Sequence, residues 1–180
     1  MRYFVIKQDE QITDIPYPKD FFEHIDIRNV NAERGDLIPH RILIQLRPSK
    51  FTVFPELLCA PVLLVSKDAQ DVIKLYDESI EYRQIIYLDK ENGLAQLYFM
   101  PLLVTIDCLS PRSEYIKASR TAFSEIVLRG EKIRDESIFM VKNQTQRVVT
   151  VRLDLTENLL TQGCGGFTLE EAEVETEENG

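Results

Sequence analysis

Two histidines (His24, His40) and three cysteines (Cys59, Cys108, Cys164) are the whole supply of imidazole and thiol in this chain of 180 residues. A hydrolase of the serine or cysteine type needs a base within reach of its nucleophile. His24 stands between Glu23 and Ile25, and His40 follows Pro39 at the head of an apolar run. Neither belongs to a nucleophile or metal motif, so each reads as a surface or hydrogen-bonded imidazole. The cysteines are widely spaced, with no CxxC and no histidine at zinc-site spacing. They are expected to be small buried hydrophobes kept as thiols. Gly163, Gly165 and Gly166 form a glycine-rich loop, but a phosphate cradle needs its glycines ahead of a helix. Here the helical pattern comes first, which predicts a helix cap and turn. Asp14, Asp20, Asp26, Asp36, Asp107, Asp135 and Glu136 are scattered carboxylates, and their spacing marks no acid–base pair. No catalytic set, metal site or cofactor site is expected from these residues.

The charge balance points to a class of partner. The net charge is −9, and the segment from Glu170 onward carries six glutamates with no lysine or arginine, leaving −3 over residues 1–169. That sign disfavours binding to nucleic-acid phosphates. Residues 170–180 are expected to form a solvated, partly disordered acidic tail, or an arm that steers a basic partner. No apolar run approaches the ~20 residues of a membrane span. The opening apolar run, Tyr3–Ile6, is too short for a signal-peptide core, so a cytoplasmic location is expected.

The chain that must position these groups is organised around Ala60–Leu88. There Val62–Val65 reads as a buried strand, Ser66 as the N-cap of a helix and Tyr82–Leu88 as a returning strand. Asp68 suits the dipole of the first turn, and Ala69, Val72, Ile73 and Tyr76 make one apolar stripe. The Asn92-Gly93 step predicts a hairpin from Tyr82–Leu88 into Leu94–Met100. Tyr3–Ile6, His40–Leu46, Phe123–Leu128, Ile138–Val141 and Val148–Val151 read as further strands, and Leu102–Ile106 as an apolar run. Arg34-Gly35-Asp36 reads as a tight turn. Pro48, Pro55 and Pro61 punctuate a connector whose Phe51, Val53 and Phe54 are placed to plug the end of a sheet. Ser113–Ala118 is polar, looped or briefly helical. From Val149 the strand–cap–helix device repeats: Asp154 as cap with Glu157 as its capping-box partner, Leu155, Leu159 and Leu160 as buried stripe, and Gly163 as terminator. The expected fold is a single α+β domain over residues 1–169. It has a mostly antiparallel sheet, two or three short helices packed on it, and the tail at 170–180.

The order LLVSKDAQDVIKLY, IEYRQIIYL, hairpin, LLVTIDCLS, IVLRGEKIRDESIFMV and VTVRLDLTENLLTQGCGGFTL resembles an immunity-protein family of bacterial polymorphic toxin systems. Ser66 stands at that family's helix start. Leu159-Leu160-Thr161-Gln162-Gly163 with Gly166-Phe167 stands at its closing segment. Lys67 departs from the acidic residue common after the helix start, and the likeness spans residues 60–169. The resemblance implies a non-enzymatic protein that binds and neutralises a cognate protein toxin. It carries over no site residues, because such families vary the toxin-facing surface. An acidic inhibitor suits a basic toxin such as a nuclease domain, and Glu170, Glu171 and Glu173 are the expected contacts. Two alternative readings stay open, a small cytosolic enzyme with an unrecognised carboxylate site and a structural or adaptor protein.

Overall fold

The computed structural model describes residues 1–115, 123–143 and 146–176. From the start of the chain come β1 (Tyr3–Gln8), the short helix α1 (Phe21–His24), 3-10 turns at Ile27–Asn29 and Gly35–Leu37, and β2 (Arg41–Gln45). Next are β3 (Leu57–Leu58), β4 (Leu64–Val65), α2 (Lys67–Lys74), and the long pair β5 (Glu81–Asp89) and β6 (Leu94–Leu102). Then follow β7 (Thr105–Ile106), β8 (Glu114–Tyr115), β9 (Phe123–Glu125) and β10 (Val127–Arg129). A 3-10 turn at Gly130–Lys132 leads to β11 (Ile138–Val141), β12 (Val149–Arg152), α3 (Leu153–Thr161) and β13 (Phe167–Glu175). The class is α+β in a single domain, with eleven of the described strands in two mixed sheets and β8 paired with β9 apart from them.

One sheet has the order β2-β5-β6-β4-β3. Its centre is the predicted hairpin, paired in unbroken register from Glu81↔Leu102 to Asp89↔Leu94. The Asp89 carboxylate closes the turn, accepting from the Asn92 side chain at 2.8 Å, the Asn92 amide at 3.1 Å and the Ser49 amide at 3.0 Å. Burial alone would push this carboxyl up, but the bonds from Asn92, Ser49 and Glu91 outweigh it and hold it below the usual carboxylate range. One face of the hairpin packs Ile85, Tyr87, Tyr98 and Met100 against Phe21, Ile25, Val30 and Ile38 of the N-terminal segment. Each such fully buried side chain contributes about 1.5–3 kcal/mol. Of the connector residues expected at the sheet end, Phe54 packs on this cluster, whereas Phe51 and Val53 lie exposed. The Arg34-Gly35-Asp36 turn is a 3-10 turn whose Gly35 is buried and whose carbonyl accepts from Arg83 Nη2 at 3.0 Å.

The strand expected at Val62–Val65 is shorter, confined to Leu64–Val65, although all four residues are buried. Pairing with β6 is made through Val65↔Phe99, and Pro61 ahead of the run limits the ladder. Ser66 caps α2 as predicted, its hydroxyl accepting from the Ala69 amide at 3.2 Å, an interaction worth about 1 kcal/mol. Ala69, Val72 and Ile73 enter the core, and Tyr76 packs at its edge. The closing helix departs from expectation at its start. Arg152, not Asp154, is the N-cap residue, with no side-chain cap. Asp154 instead takes the Arg152 guanidinium at 2.7 and 2.9 Å, so no capping box forms. Leu155 and Leu159 are buried, but Leu160 faces solvent. Gly163 ends the helix at φ +79°, with its amide bonded to the Leu160 carbonyl at 3.0 Å.

Of the tail expected at 170–180, residues 177–180 lie outside the described residues, and from Glu170 the chain is not a disordered tail: β13 runs through Glu175 inside the other sheet, whose order is β10-β13-β1-β12-β11-β7. It pairs antiparallel with β1 from Gln8↔Phe167 to Tyr3↔Ala172, and parallel with β10 from Val127↔Glu173 to Arg129↔Glu175. Four of its nine residues are glutamate, which masks the strand pattern, while Phe167, Leu169, Ala172 and Val174 supply the apolar contacts. The sheet then closes on itself. Past β7, the Cys108 carbonyl accepts from the Arg129 amide and the Ser110 amide donates to the Val127 carbonyl, both at 2.8 Å. Residues 105–110 thus join its two edges. Tyr3, Val5, Cys108, Leu128, Phe139 and Val141 fill the inside. Outside, Ile6, Ile138, Met140, Val149, Val151 and Phe167 pack beneath α2, α3 and β4. The predicted Phe123–Leu128 strand is split at Ile126 into β9 and β10. Of the Ser113–Ala118 stretch, Glu114–Tyr115 is strand and residues 116–118 lie outside the described residues.

Candidate functional site

The chemically capable side chains do not converge. His24 Nε2 lies 3.1 Å from Asp20 Oδ2 on exposed α1, while Asp20 Oδ1 accepts from the Gln45 amide at 3.0 Å. His40 is exposed ahead of β2, and its carbonyl accepts from the Gln84 amide at 2.8 Å. Burial pushes the Cys59 thiol up to about 12 and those of Cys108 and Cys164 to about 11. At neutral pH all three are therefore thiols rather than thiolate nucleophiles. Among the described residues, no group of three or more His, Cys, Asp or Glu side chains is placed to hold a metal ion. No helix among them is long and apolar enough to cross a membrane. The glycine loop is structural: Gly166 sits at φ +99°, where a Cβ would lie 2.2 Å from the Leu57 carbonyl oxygen. Beside it the Gly165 amide donates to Glu56 Oε2 at 2.8 Å.

The predicted partner contacts, Glu170, Glu171 and Glu173, are brought onto one strand and each has a basic partner within the chain. Lys7 pairs with Glu170. Arg2 grips Glu171 through two bonds of 2.7 and 2.9 Å and holds its carboxyl below the usual range. Arg112 lies 2.9 Å from Glu173, and Ser110 Oγ donates to Glu175 Oε2 at 2.9 Å. All remain partly exposed, so these pairs are weak. Their role in the fold is to lower the self-repulsion of an acidic strand, and little free negative charge remains on it.

One concavity adjoins the end of that strand and another stands away from it. A cleft of about 420 Å³ opens at one end of the closed sheet, where Tyr3, Glu131, Ile133, Arg134 and Val174 meet. The Tyr3 hydroxyl is committed there, donating to the Ile133 carbonyl at 2.7 Å and reaching that of Glu136 at 3.1 Å. The other is a groove of about 520 Å³ between α2 and α3, lined by Asp68, Asp71, Val72, Leu75, Asn158 and Gln162. Its position follows from packing. α2 and α3 both turn their apolar stripes down onto the closed sheet, which leaves residues of their outer flanks to line the groove. The Tyr76 hydroxyl braces the pair, donating to the Asp154 carbonyl at 3.0 Å and accepting from Asn158 Nδ2 at 3.3 Å. Leu75, off the predicted stripe, is 77% exposed at the rim. From Ser66 to Glu81 the chain carries five carboxylates against two lysines, and Lys67 is spent on Asp71. Sequence reasoning missed Leu75, Asn158 and Gln162. The available signal was a leucine outside its helix's apolar stripe.

Compared with known protein families and with curated proteins, the chain matches none.

Proposed function

We propose that this chain is a non-enzymatic, protein-binding inhibitor, of the immunity type, that neutralises a cognate basic toxin by direct binding. The observation that carries the reading is the α2–α3 groove, where an exposed leucine anchor, Leu75, stands with Asp68 and the Lys67-paired Asp71 on the rim. A protein interface draws its energy from a few apolar anchors and its association rate from complementary charge around them. The resemblance of residues 60–169 to immunity proteins supports the same role. The docking face is thereby moved from Glu170, Glu171 and Glu173, whose charges are met within the chain, to the helical flank. A basic toxin domain would set an apolar side chain against Leu75 and Val72 and basic side chains against the rim.

The test is capture of the tagged chain's partner from its native cells, followed by a neutralisation assay with the purified pair. The expected result is one-to-one inhibition of a toxic activity, weakened about tenfold or more by Leu75→Arg. The charge-removing triple change at Glu170, Glu171 and Glu173 is expected to leave inhibition within a few-fold. A captured protein whose activity the chain does not inhibit would overturn the reading. Undiminished inhibition by Leu75→Arg would displace the groove while leaving the inhibitor role.

A further inference from the structure

The hairpin sheet ends on β2, with no strand outside it among the described residues. Parallel pairing with β5 decides which main-chain groups of β2 are engaged. The His40 carbonyl accepts from Gln84 and the Leu46 amide donates to Leu88, each at 2.8 Å. The even-numbered residues therefore turn toward β5, and Arg41, Leu43 and Gln45 turn outward. Gln45 is already occupied: its amide donates to Asp20 Oδ1 at 3.0 Å and its carbonyl accepts from the Lys19 amide at 2.8 Å. The outward amides and carbonyls of Arg41 and Leu43 have no such partner among the described residues. They border a cleft of about 420 Å³ lined by Asp20, His24, Pro39, Arg41, Leu43 and Gln45. On the outer face of the sheet, Leu43 stands beside Ile86, and Ile86 opposite Leu97. Leu43 is 44% and Leu97 39% exposed, so an apolar row runs off the open edge.

We propose that this edge pairs with β2 of a second copy of the chain, antiparallel about a two-fold axis at Ile42. In that register Arg41 lies opposite Leu43 of the other copy, and the two exchange amide and carbonyl in both halves of the pair. Every open group of both edges is satisfied. The match is self-complementary in length as well. Each strand begins at Arg41, so a partner strand ends opposite Leu43, short of the position where Lys19 and Asp20 already hold Gln45. Two residues back from Arg41 stands Pro39, which has no amide to leave unpaired. Across the axis the aliphatic stem of Arg41 covers Leu43 and prolongs the apolar row of each sheet. An open edge of this kind is otherwise a liability that folds cover or pair.

Sedimentation velocity over a wide concentration range tests the pairing, with circular dichroism confirming the fold of each variant. The expected species is twice the 20.9 kDa chain. Leu43→Lys places like charges opposite each other at Arg41 and is expected to weaken the dimer about tenfold or more. Adding Arg41→Glu to that variant creates an opposite-charge pair in the same register and is expected to restore it. A chain that stays monomeric at high concentration, or a dimer indifferent to Leu43→Lys, would overturn the proposal. So would a monomer whose edge takes up an extended peptide instead.

Discussion

Glu136 shows how one residue's surroundings translate into stability. It is only partly buried, in the turn ahead of β11, with Asp77 and Asp135 nearby. Burial, and then those two charges, push its carboxyl above the usual range. A raised folded-state value means that ionisation is resisted more in the fold than in the open chain. The stabilising share is present at low pH and disappears as pH rises through the folded value. Glu136→Gln is therefore expected to raise the thermal midpoint at pH 7 and to have no effect well below the unfolded carboxylate range. The gain should be about 0.5 kcal/mol or less, because solvent screens a group this exposed. Calorimetry at the two pH values checks it; a midpoint lowered at neutral pH would show that the carboxylate makes a favourable contact.

At the scale of elements, β13 decides whether the closed sheet exists. It is the strand between β1 and β10, and its glutamates are tolerated because Arg2, Lys7 and Arg112 flank them. Truncation after Leu169 would strip β1 of its partners at Tyr3, Phe4 and Val5, and β10 of all three of its partners on β13. The expected outcome is loss of cooperative unfolding and rapid proteolysis, rather than the quiet removal of a tail. A truncated chain with an unchanged circular dichroism spectrum and melting curve would refute this placement. The paired elements α2 and α3 behave differently: each lays one stripe on the same cluster, and their outer flanks are left for the groove.

Across the whole molecule, the N-terminal segment that covers the hairpin sheet must be tied to the closed sheet. Arg147, in the connection from β11 to β12, makes that tie. Its guanidinium donates to the carbonyls of Ile27 at 3.0 Å and Val30 at 2.9 Å, and touches Met140 Sδ at 2.9 Å. Burial lowers its affinity for its proton, yet it stays charged, since the usual value lies so high. Arg147→Met preserves bulk and removes both donors. With each carbonyl left short costing about 1–3 kcal/mol, a loss of about 2–6 kcal/mol is expected in denaturant titrations. If the segment were independently stable, the variant would instead unfold in two separate steps.

The sequence by itself determined the elements whose signals are local: β1, the β5–β6 hairpin with its Asn-Gly turn, the Ser66 cap, the stripe of α2 and the Gly163 stop. Each depends on residues within a turn or two of one another, where sterics and side-chain spacing suffice. The α+β class followed from them. Only the tertiary structure decided that Glu170–Glu175 is strand, because a strand's stability comes from its neighbours and its basic partners are Arg2 and Lys7, at the far end of the sequence. The same holds for the closure through residues 105–110 and for the groove beside Leu75. An exposed leucine becomes a site only where a second helix, distant in sequence, stands next to it.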